Sequence, residues 1–222
     1  MTVATQIQWP AIMSTSDSAP SILSQLPGIH VAEDFLSPAD HTALLEDSLA
    51  NESNYQPSLV SRYHAGRLEG GAIDQAVRRS TCRALPPRLR DLFRIGVESR
   101  KEAISDALGL AFPDERKFEI QAVHSGDGAH FSRHIDTTLG STGRFRVVSA
   151  VYYYSTPARD FSGGELELFS LDQTRSMRIA PKDNSMVFFP SIFAHEVLPV
   201  HVPSGAFAAG RFSVNCWVNR AP

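Results

Sequence analysis

The stretch Lys117-Phe-Glu-Ile-Gln-Ala-Val-His124 marks the point at which the chain changes its hydrophobic period. Its apolar residues Phe118, Ile120 and Ala122 alternate with mostly polar neighbours, which is the two-residue period of a β-strand. Before this stretch the apolar residues follow a helical period, and after it every element that we can identify has the pattern of a strand. The stretch therefore divides the chain into a helical first half and a β second half.

Eight short strands are predicted in the second half. They cover residues 117–124, 131–136, 145–154, 165–169, 176–179, 185–189, 195–200 and 211–218. Turn signals separate them, notably Ser125-Gly-Asp-Gly128 and Ser162-Gly-Gly164. Short, evenly spaced strands of this kind fit a double-stranded β-helix, or jelly roll, in which two sheets pack face to face. The predicted fold class is therefore mainly β, with a helical buttress.

Two helices are predicted in the first half. In Ser37-Pro-Ala-Asp40 a serine cap, a proline in the first turn and an acidic residue predict a helix that ends near Ala50. An apolar stripe over residues 89–108, followed by Gly109, predicts a longer helix that braces a sheet. Weaker patterns between the two helices predict a short strand at 55–60, a turn at 67–71 and a short helix at 72–79.

The domain organisation follows from these patterns. Residues 1–20 are rich in Ser, Thr, Ala and Pro without a helical or strand period, so we expect a flexible N-terminal tail. Residues 21–222 are expected to form a single domain, with a helical buttress at 21–113 and a jelly-roll core at 114–222.

Composition excludes several classes of protein. A net charge of −3, without a cluster of Lys and Arg, argues against nucleic acid as a partner. The first residues lack the pattern of a signal peptide, and no apolar run is long enough to span a bilayer. Two cysteines, Cys82 and Cys216, are too few for a disulfide framework. We expect a cytoplasmic protein without a membrane partner, and the sequence carries no signal for its oligomeric state.

The strongest chemical signal is His134-Ile-Asp136, because side chains two residues apart leave the same face of an extended strand. Two such ligands cannot hold a transition metal alone. His195, which opens a strand among apolar neighbours, is the candidate third ligand. Taken singly, the triplet could be incidental and His195 could be a core histidine bonded to the backbone. Together, two histidines and one carboxylate form the facial triad of non-haem Fe(II) oxygenases.

A second signal is Arg211, an arginine that begins a strongly apolar strand. An arginine is costly to bury without an anion. Either Arg211 reaches solvent at the rim, or it binds a carboxylate with the Ser213 hydroxyl as a second donor. The strand period places Arg211, Ser213, Asn215 and Trp217 on one face.

In combination, His134-x-Asp136, the distal His195, and Arg211 with Ser213 resemble the Fe(II)/2-oxoglutarate-dependent dioxygenases, in particular their prolyl 4-hydroxylase-like branch. The resemblance runs from Phe118 to Val218 and includes a glycine hairpin at 161–169. It implies that His134, Asp136 and His195 are catalytic metal ligands. It also implies that 2-oxoglutarate binds Arg211, Ser213 and Tyr153. The cofactors it implies are Fe(II), 2-oxoglutarate as co-substrate, O2, and ascorbate as a candidate reductant.

The chain departs from the family at Phe131, where many members have a tyrosine three residues before the first ligand. His130 either compensates for that tyrosine or is a loop histidine. His124 either faces the co-substrate or merely ends a strand. By the same resemblance, three residues of the first half are expected near the substrate: Arg62, Tyr63 and Arg79.

The activity implied by the resemblance is hydroxylation of an unactivated C–H bond in a small-molecule or peptide substrate. The first hypothesis is a prolyl or similar amino-acid side chain in a peptide. One alternative is a hydroxylase of a free amino acid or small natural product. An alternative of another class is a non-catalytic jelly-roll sensor that binds metal or ligand without turnover, and a nucleic-acid demethylase is disfavoured by the acidic balance.

Overall fold

The computed structural model describes residues 21–64, 67–137 and 145–220. The side chains of residues 61–64 and 67–70 lie outside this description. The expectations for Arg62 and Tyr63, and for a tail at 1–20, therefore lie outside the described residues.

Three α-helices and sixteen strands, some of only two residues, lie in the described residues. The helices are α1 (Pro38–Ala50), α2 (Pro87–Glu98) and α3 (Lys101–Leu108), with short 3-10 turns at Ile22–Ser24, Glu52–Asn54 and Phe207–Ala209. The strands of the first half are β1 (His30–Ala32), β2 (Gln56–Pro57), β3 (Val60–His64), β4 (Arg67–Ala72), β5 (Arg78–Arg79) and β6 (Thr81–Arg83). Those of the second half are β7 (Arg116–Ser125), β8 (His130–His134), β9 (Arg146–Tyr154), β10 (Ser162–Gly163), β11 (Leu166–Phe169), β12 (Ser176–Ile179), β13 (Ser185–Pro190), β14 (His195–Val197), β15 (Val200–His201) and β16 (Arg211–Arg220).

Two antiparallel sheets face each other in the second half. The larger sheet has the order β1-β13-β9-β16-β7-β6-β2, and the smaller has the order β12-β11-β14-β8-β5. Eight strands of the second half belong to these two sheets. Strands β7, β9, β13 and β16 lie in the larger sheet, and β8, β11, β12 and β14 lie in the smaller one. This arrangement is the predicted double-stranded β-helix, which is confirmed.

The two faces of the larger sheet have different neighbours. Alternate residues of β16, such as Val214 and Cys216, belong to the main core, which also contains Phe93 and Ile104 of the helices. The opposite face looks toward the smaller sheet, where a separate apolar cluster includes Leu168 and Phe189. The helices therefore cover one face of the larger sheet and leave the other free to form a site.

The helix predicted at 38–50 is confirmed, and the Ser37 side chain accepts a hydrogen bond from the Asp40 N–H. The predicted long helix is instead two helices, α2 and α3. The chain leaves helical geometry at Arg100, where the Ser99 hydroxyl and Arg100 guanidinium both donate to the Gly96 carbonyl. Gly109 ends α3 with a φ of 64°, as predicted. In the described part of the chain, no helix is long and apolar enough to cross a bilayer.

Two predictions between the helices are wrong. The turn predicted at 67–71 is part of β4, which pairs along its length with β3. Residues 72–79 do not form a helix: the Asp74 carbonyl accepts from the N–H groups of Val77 and Arg78 in a single turn, and the chain then pairs with β8 as β5. Sheet pairing here overrides a weak local helix preference.

Candidate metal centre

The structure brings His134, Asp136 and His195 together at one end of the space between the sheets. His134 ends β8, His195 begins β14, and the two are direct cross-strand partners. The Asp136 carboxylate lies between them, with Oδ1 3.6 Å from His134 Nε2 and Oδ2 3.4 Å from His195 Nε2. One potential ligand atom from each residue lies within 4.8 Å of the others, so the three can hold one metal ion.

The local backbone differs from the predicted strand at 131–136. Strand β8 ends at His134, and Asp136 lies in a bend beyond it. An irregularity in the pairing of β8 with β14, between Phe131 and His134, bends the strand just before the first ligand. Asp136 therefore meets the histidines through a bend rather than through simple alternation along one strand.

Both histidine rings present Nε2 to the centre. His134 Nδ1 lies 2.9 Å from the Ser132 carbonyl, and His195 Nδ1 lies 3.0 Å from the Phe193 carbonyl. Because a carbonyl oxygen only accepts, each Nδ1 carries the proton and each Nε2 keeps its lone pair. Burial lowers the pKa of His134, and the neighbouring His195 ring further disfavours its protonation, so the neutral ring that binds metals is favoured.

The Asp136 carboxylate is fixed by residues that sequence reasoning did not select. Oδ2 accepts from the Ser149 hydroxyl at 2.6 Å and from the Trp217 indole N–H at 2.7 Å. Oδ1 accepts from Arg146 at 3.3 Å. Burial acts to raise the pKa of Asp136, but the two histidines lower it well below its usual range, so the carboxylate is ionised.

Arg146 holds this side of the centre in place. It is 8% exposed, its guanidinium carbon lies 3.8 Å from the Trp217 ring centroid, and it also donates to Glu119 at 2.6 Å. The pattern that selected Arg211, an arginine at the start of an apolar strand, also describes Arg146 and could have predicted it. Trp217 was already predicted to share a face with Arg211, and both line one cavity.

This cavity, which we call the narrow cavity, lies between the sheets and has Arg211, Ser213, Asn215 and the three candidate ligands in its wall. Arg211 is 3% exposed, so it does not reach solvent at the rim. It donates to the Gly164 carbonyl and to the Ser125 hydroxyl, both at 3.0 Å. No described carboxylate lies within salt-bridge distance of it, and its Nε has no hydrogen-bond partner in the described part of the chain.

Tyr153 lies beside Arg211, and its ring centroid is 5.3 Å from the guanidinium carbon. Tyr153 packs between the sheets, whereas Tyr152 and Tyr154 face the helices. Its buried hydroxyl has no hydrogen-bond partner among the described residues. Burial raises the pKa of Tyr153 and lowers that of Arg211. A buried cation and a buried hydroxyl with unused hydrogen-bonding capacity fit the carboxylate of a bound ligand.

The three residues with open roles occupy different places. The Phe131 ring stacks on His134 at 3.6 Å between centroids. His130 begins β8, and its ring nitrogens face the Gly128 and Ala76 carbonyls, so the ring bridges backbone segments. His124 stacks on Phe207 in the core beneath the helices, away from the two cavities.

The expectation that Arg79 lies near the substrate stays a prediction, and the structure does not place Arg79 in either cavity. Arg79 is exposed and contributes to neither cavity, because β5 turns it away from the centre. Its neighbour Arg78 is buried and lines both cavities. A strand of two residues is too short to show a two-residue period, so the choice between Arg78 and Arg79 cannot be read from local pattern.

A second cavity of about 1060 Å³ opens from the centre to solvent, and we call it the groove. Its walls include Leu59, Val77, Arg90, Arg94, Ile120, Gln121 and Ile135, and the candidate ligands His134 and Asp136 lie at its inner end. Three of its apolar wall residues, Leu59, Val77 and Ile135, are 56%, 36% and 49% exposed. The metal centre thus borders a narrow cavity that contains Arg211 and a much wider groove.

Comparison with known proteins agrees with this geometry. The model of the 2OG-Fe(II) oxygenase superfamily matches residues 120–219. An uncharacterised PKHD-type hydroxylase of Synechocystis is 26% identical over 97% of this chain and 72% of its own length. A prolyl 4-hydroxylase of Pseudomonas putida is similar in structure, with a TM-score of 0.62, 23% identity, and coverage of 88% of this chain and 94% of the other. A Trichoplax adhaerens prolyl hydroxylase, solved with a hypoxia inducible factor peptide, gives a TM-score of 0.63 at 19% identity over 89% and 87% of the two chains.

Residues 120–219 thus match the 2OG-Fe(II) oxygenase superfamily, and the comparisons support a 2-oxoglutarate-dependent hydroxylase. Within that class the chain has the fold of the prolyl 4-hydroxylase-like branch. The residues present fit the groups that the family uses. Two Nε2 lone pairs and a fixed carboxylate suit Fe(II), and the buried Arg211 without a described carboxylate partner suits one end of 2-oxoglutarate.

Proposed function

We propose that this protein hydroxylates an unactivated C–H bond of a prolyl or similar amino-acid side chain in a peptide. His134, Asp136 and His195 bind Fe(II), and Arg211, Ser213 and Tyr153 bind 2-oxoglutarate. The observation that carries the proposal is the position of the three ligands, which lie between a narrow cavity ending at a buried arginine and a groove open to solvent.

The proposed division of labour follows the two cavities. Fe(II) with 2-oxoglutarate and O2 supplies an oxidant that can attack an unactivated C–H bond, and ascorbate serves as reductant. Arg211 orients the co-substrate from the narrow cavity. Ser149, Trp217 and Arg146 hold the Asp136 carboxylate in one orientation. The groove walls position the substrate and exclude water from the inner end.

A peptide is the first choice of substrate because of the shape and surface of the groove. A volume of about 1060 Å³ exceeds what a single amino acid fills, and exposed apolar residues line its walls. We propose that residues 21–222 act as one oxygenase domain, with the buttress at 21–113 and the core at 114–222. Two free cysteines, one of them buried, agree with a reducing cytoplasm.

The test measures succinate formation and O2 consumption with Fe(II), 2-oxoglutarate and ascorbate. Proline-rich peptides, free proline and small metabolites serve as candidate substrates. We expect substrate-dependent succinate with a peptide, its loss in His134→Ala and Asp136→Ala, and a raised 2-oxoglutarate requirement in Arg211→Ala. Stimulation by free proline or a metabolite alone would favour the small-molecule alternative. Turnover that persists unchanged in Asp136→Ala would refute the assignment, and no O2 consumption under any condition would favour a non-catalytic sensor.

A further inference from the structure

Arg78 lies where the groove meets the narrow cavity, and its side chain lines both. It is 9% exposed and projects from the edge strand β5. Its guanidinium carbon lies 4.8 Å from the centroid of the Phe131 ring, which also stacks on the His134 ring. A guanidinium, a phenyl ring and a candidate metal ligand thus pack in sequence, which fixes Arg78 close to the centre.

The hydrogen-bonding capacity of Arg78 is largely unused. Its Nε–H donates to the Ser80 hydroxyl at 3.1 Å. Within residues 21–64, 67–137 and 145–220, neither terminal nitrogen has a hydrogen-bond partner, and no carboxylate lies within salt-bridge distance. Neither terminal nitrogen is among the fully enclosed unpaired atoms, and Arg78 lines both cavities. The free edge of the guanidinium therefore points at space that a ligand can enter.

The other two arginines of the centre have partners or an assigned ligand. Arg146 is paired with Asp136 and Glu119. Arg211 ends the narrow cavity, where 2-oxoglutarate is proposed to bind. Arg78 alone among these three lies on the groove side without a described carboxylate partner. Burial lowers its pKa, which reflects the cost of removing an arginine from water. The Asp136 carboxylate, beyond salt-bridge distance, acts to raise this pKa and so offsets part of the charge. A neutral carbonyl would satisfy the free N–H groups, whereas a ligand anion would satisfy them and also balance the remaining charge.

We propose that Arg78 binds a carboxylate group of the molecule that is hydroxylated, through its two free terminal nitrogens. The substrate class is then an amino acid with a free α-carboxylate, either as the free molecule or as the C-terminal residue of a peptide. Planar, bidentate pairing of a guanidinium with a carboxylate supplies both charge balance and orientation. This inference rests on the proposed function, because it takes the groove as the substrate site.

The experiment measures binding rather than turnover. Wild-type protein is loaded anaerobically with Mn(II) and 2-oxoglutarate, and titrated calorimetrically with L-proline, L-prolinamide, and a proline-terminated peptide with a free or an amidated C-terminus. We expect a carboxylate probe to bind at least about tenfold more tightly than its amide, because a hydrogen bond to a charged group is lost in the amide. Tighter binding of L-proline than of L-prolinamide would identify the free amino acid as the source of the carboxylate. Tighter binding of the free than of the amidated peptide would identify the C-terminus of a peptide.

Three variants test the role of the side chain. Arg78→Gln should abolish the preference for carboxylate over amide. Arg78→Lys keeps the positive charge and should keep part of the preference, so it tests the proposal even if Arg78→Gln does not fold. Arg79→Gln removes the exposed neighbouring arginine, which lines neither cavity, and should keep the whole preference. Equal binding of acid and amide in both wild-type pairs, no binding of any probe, or an unchanged preference in a folded Arg78→Gln would each overturn the proposal. An Arg78→Gln effect confined to 2-oxoglutarate affinity would do so as well.

Failure of the proposed function gives a different result. In that case the wild-type protein would not bind Mn(II) or 2-oxoglutarate. Separate calorimetric titrations with each of the two measure this binding. The comparison of acid and amide can then be repeated on metal-free protein, where Arg78 is unchanged.

Discussion

The indole N–H of Trp217 donates to Asp136 Oδ2 at 2.7 Å. Trp217 belongs to β16 of the larger sheet, whereas Asp136 follows β8 of the smaller sheet. Ser149, on β9 of the larger sheet, donates to the same oxygen. The orientation of one candidate ligand is therefore set from the sheet opposite to the one that carries it, so the ligand geometry depends on how the two sheets pack.

Replacing Trp217 with phenylalanine should weaken metal binding by roughly 10- to 100-fold, because the ring remains but the donor to Asp136 is lost. Titration with Mn(II) or Co(II) measures the affinity, and urea unfolding checks that the fold is retained. Ser149→Ala removes the other donor to Oδ2 and should act in the same direction. Metal affinities equal to wild type in both variants would contradict this role for the two donors.

Tyr153→Phe should raise the KM for 2-oxoglutarate without lowering the free energy of unfolding. Its hydroxyl is buried and unpaired, so its removal costs no hydrogen bond within the described protein. Tyr154→Phe is the matched control, since that hydroxyl bonds to Ser48 at 2.8 Å beneath the helices. The control should lose about 1 kcal/mol of stability and keep its KM. The opposite pattern, with the KM altered only in Tyr154→Phe, would refute the assignment of Tyr153.

Gly164→Ala should disturb both folding and co-substrate binding. Gly164 has a φ of 75°, and an added Cβ would lie 2.8 Å from Val200 Cγ2 and 3.1 Å from Arg211 Cδ. We expect a loss of about 1–3 kcal/mol in unfolding free energy and a higher KM for 2-oxoglutarate. Gly205→Ala has a similar φ of 64° with nothing within 4 Å, so it should show only the backbone cost. Equal KM values in the two variants would show that Gly164 does not position Arg211.

His124 should make the protein less stable as the pH falls. Burial lowers its pKa from 6.5 to about 4, so the unfolded chain takes up a proton at a higher pH than the folded protein does. The stabilisation is fully present above pH 6.5 and is lost as the pH falls toward about 4, by about 3 kcal/mol in all.

Urea unfolding of His124→Gln between pH 4 and 7.5 tests this, and the variant should show a flatter pH dependence than wild type. Phe93→Leu, in the same core, is the control and should lower stability by a similar amount at every pH. Parallel pH curves for wild type and His124→Gln would be incompatible with the proposed origin of the effect.

The β half could be predicted closely because its strands combine a two-residue period with glycine-rich turns. Strand β12 has the predicted bounds, and β7 and β16 differ from the prediction by one or two residues at their ends. His134 and Asp136 could be selected because they lie two residues apart in an extended stretch. His195 and Arg211 could be selected because each is a polar residue among apolar neighbours. Their roles as ligands of Fe(II) and 2-oxoglutarate stay predictions.

Other features depend on contacts that no local pattern encodes. The choice between Arg78 and Arg79 depends on the pairing of a two-residue strand with β8. The break at Arg100 depends on two side chains that donate to the Gly96 carbonyl. The hydrogen bonds that orient the Asp136 carboxylate come from Arg146, Ser149 and Trp217. These three residues lie on the larger sheet and reach Asp136 only when the two sheets pack together.

The direct pairing of His134 with His195 has a consequence for folding. A slip of one residue between β8 and β14 would turn one imidazole away from the other, so only the native register offers both Nε2 atoms to one ion. An ion held by these ligands would therefore stabilise the native register over its neighbours by mass action. Uptake of iron would then select the correct alignment of two strands that lie far apart in the chain, and cells short of iron would contain more of the misaligned and unfolded protein.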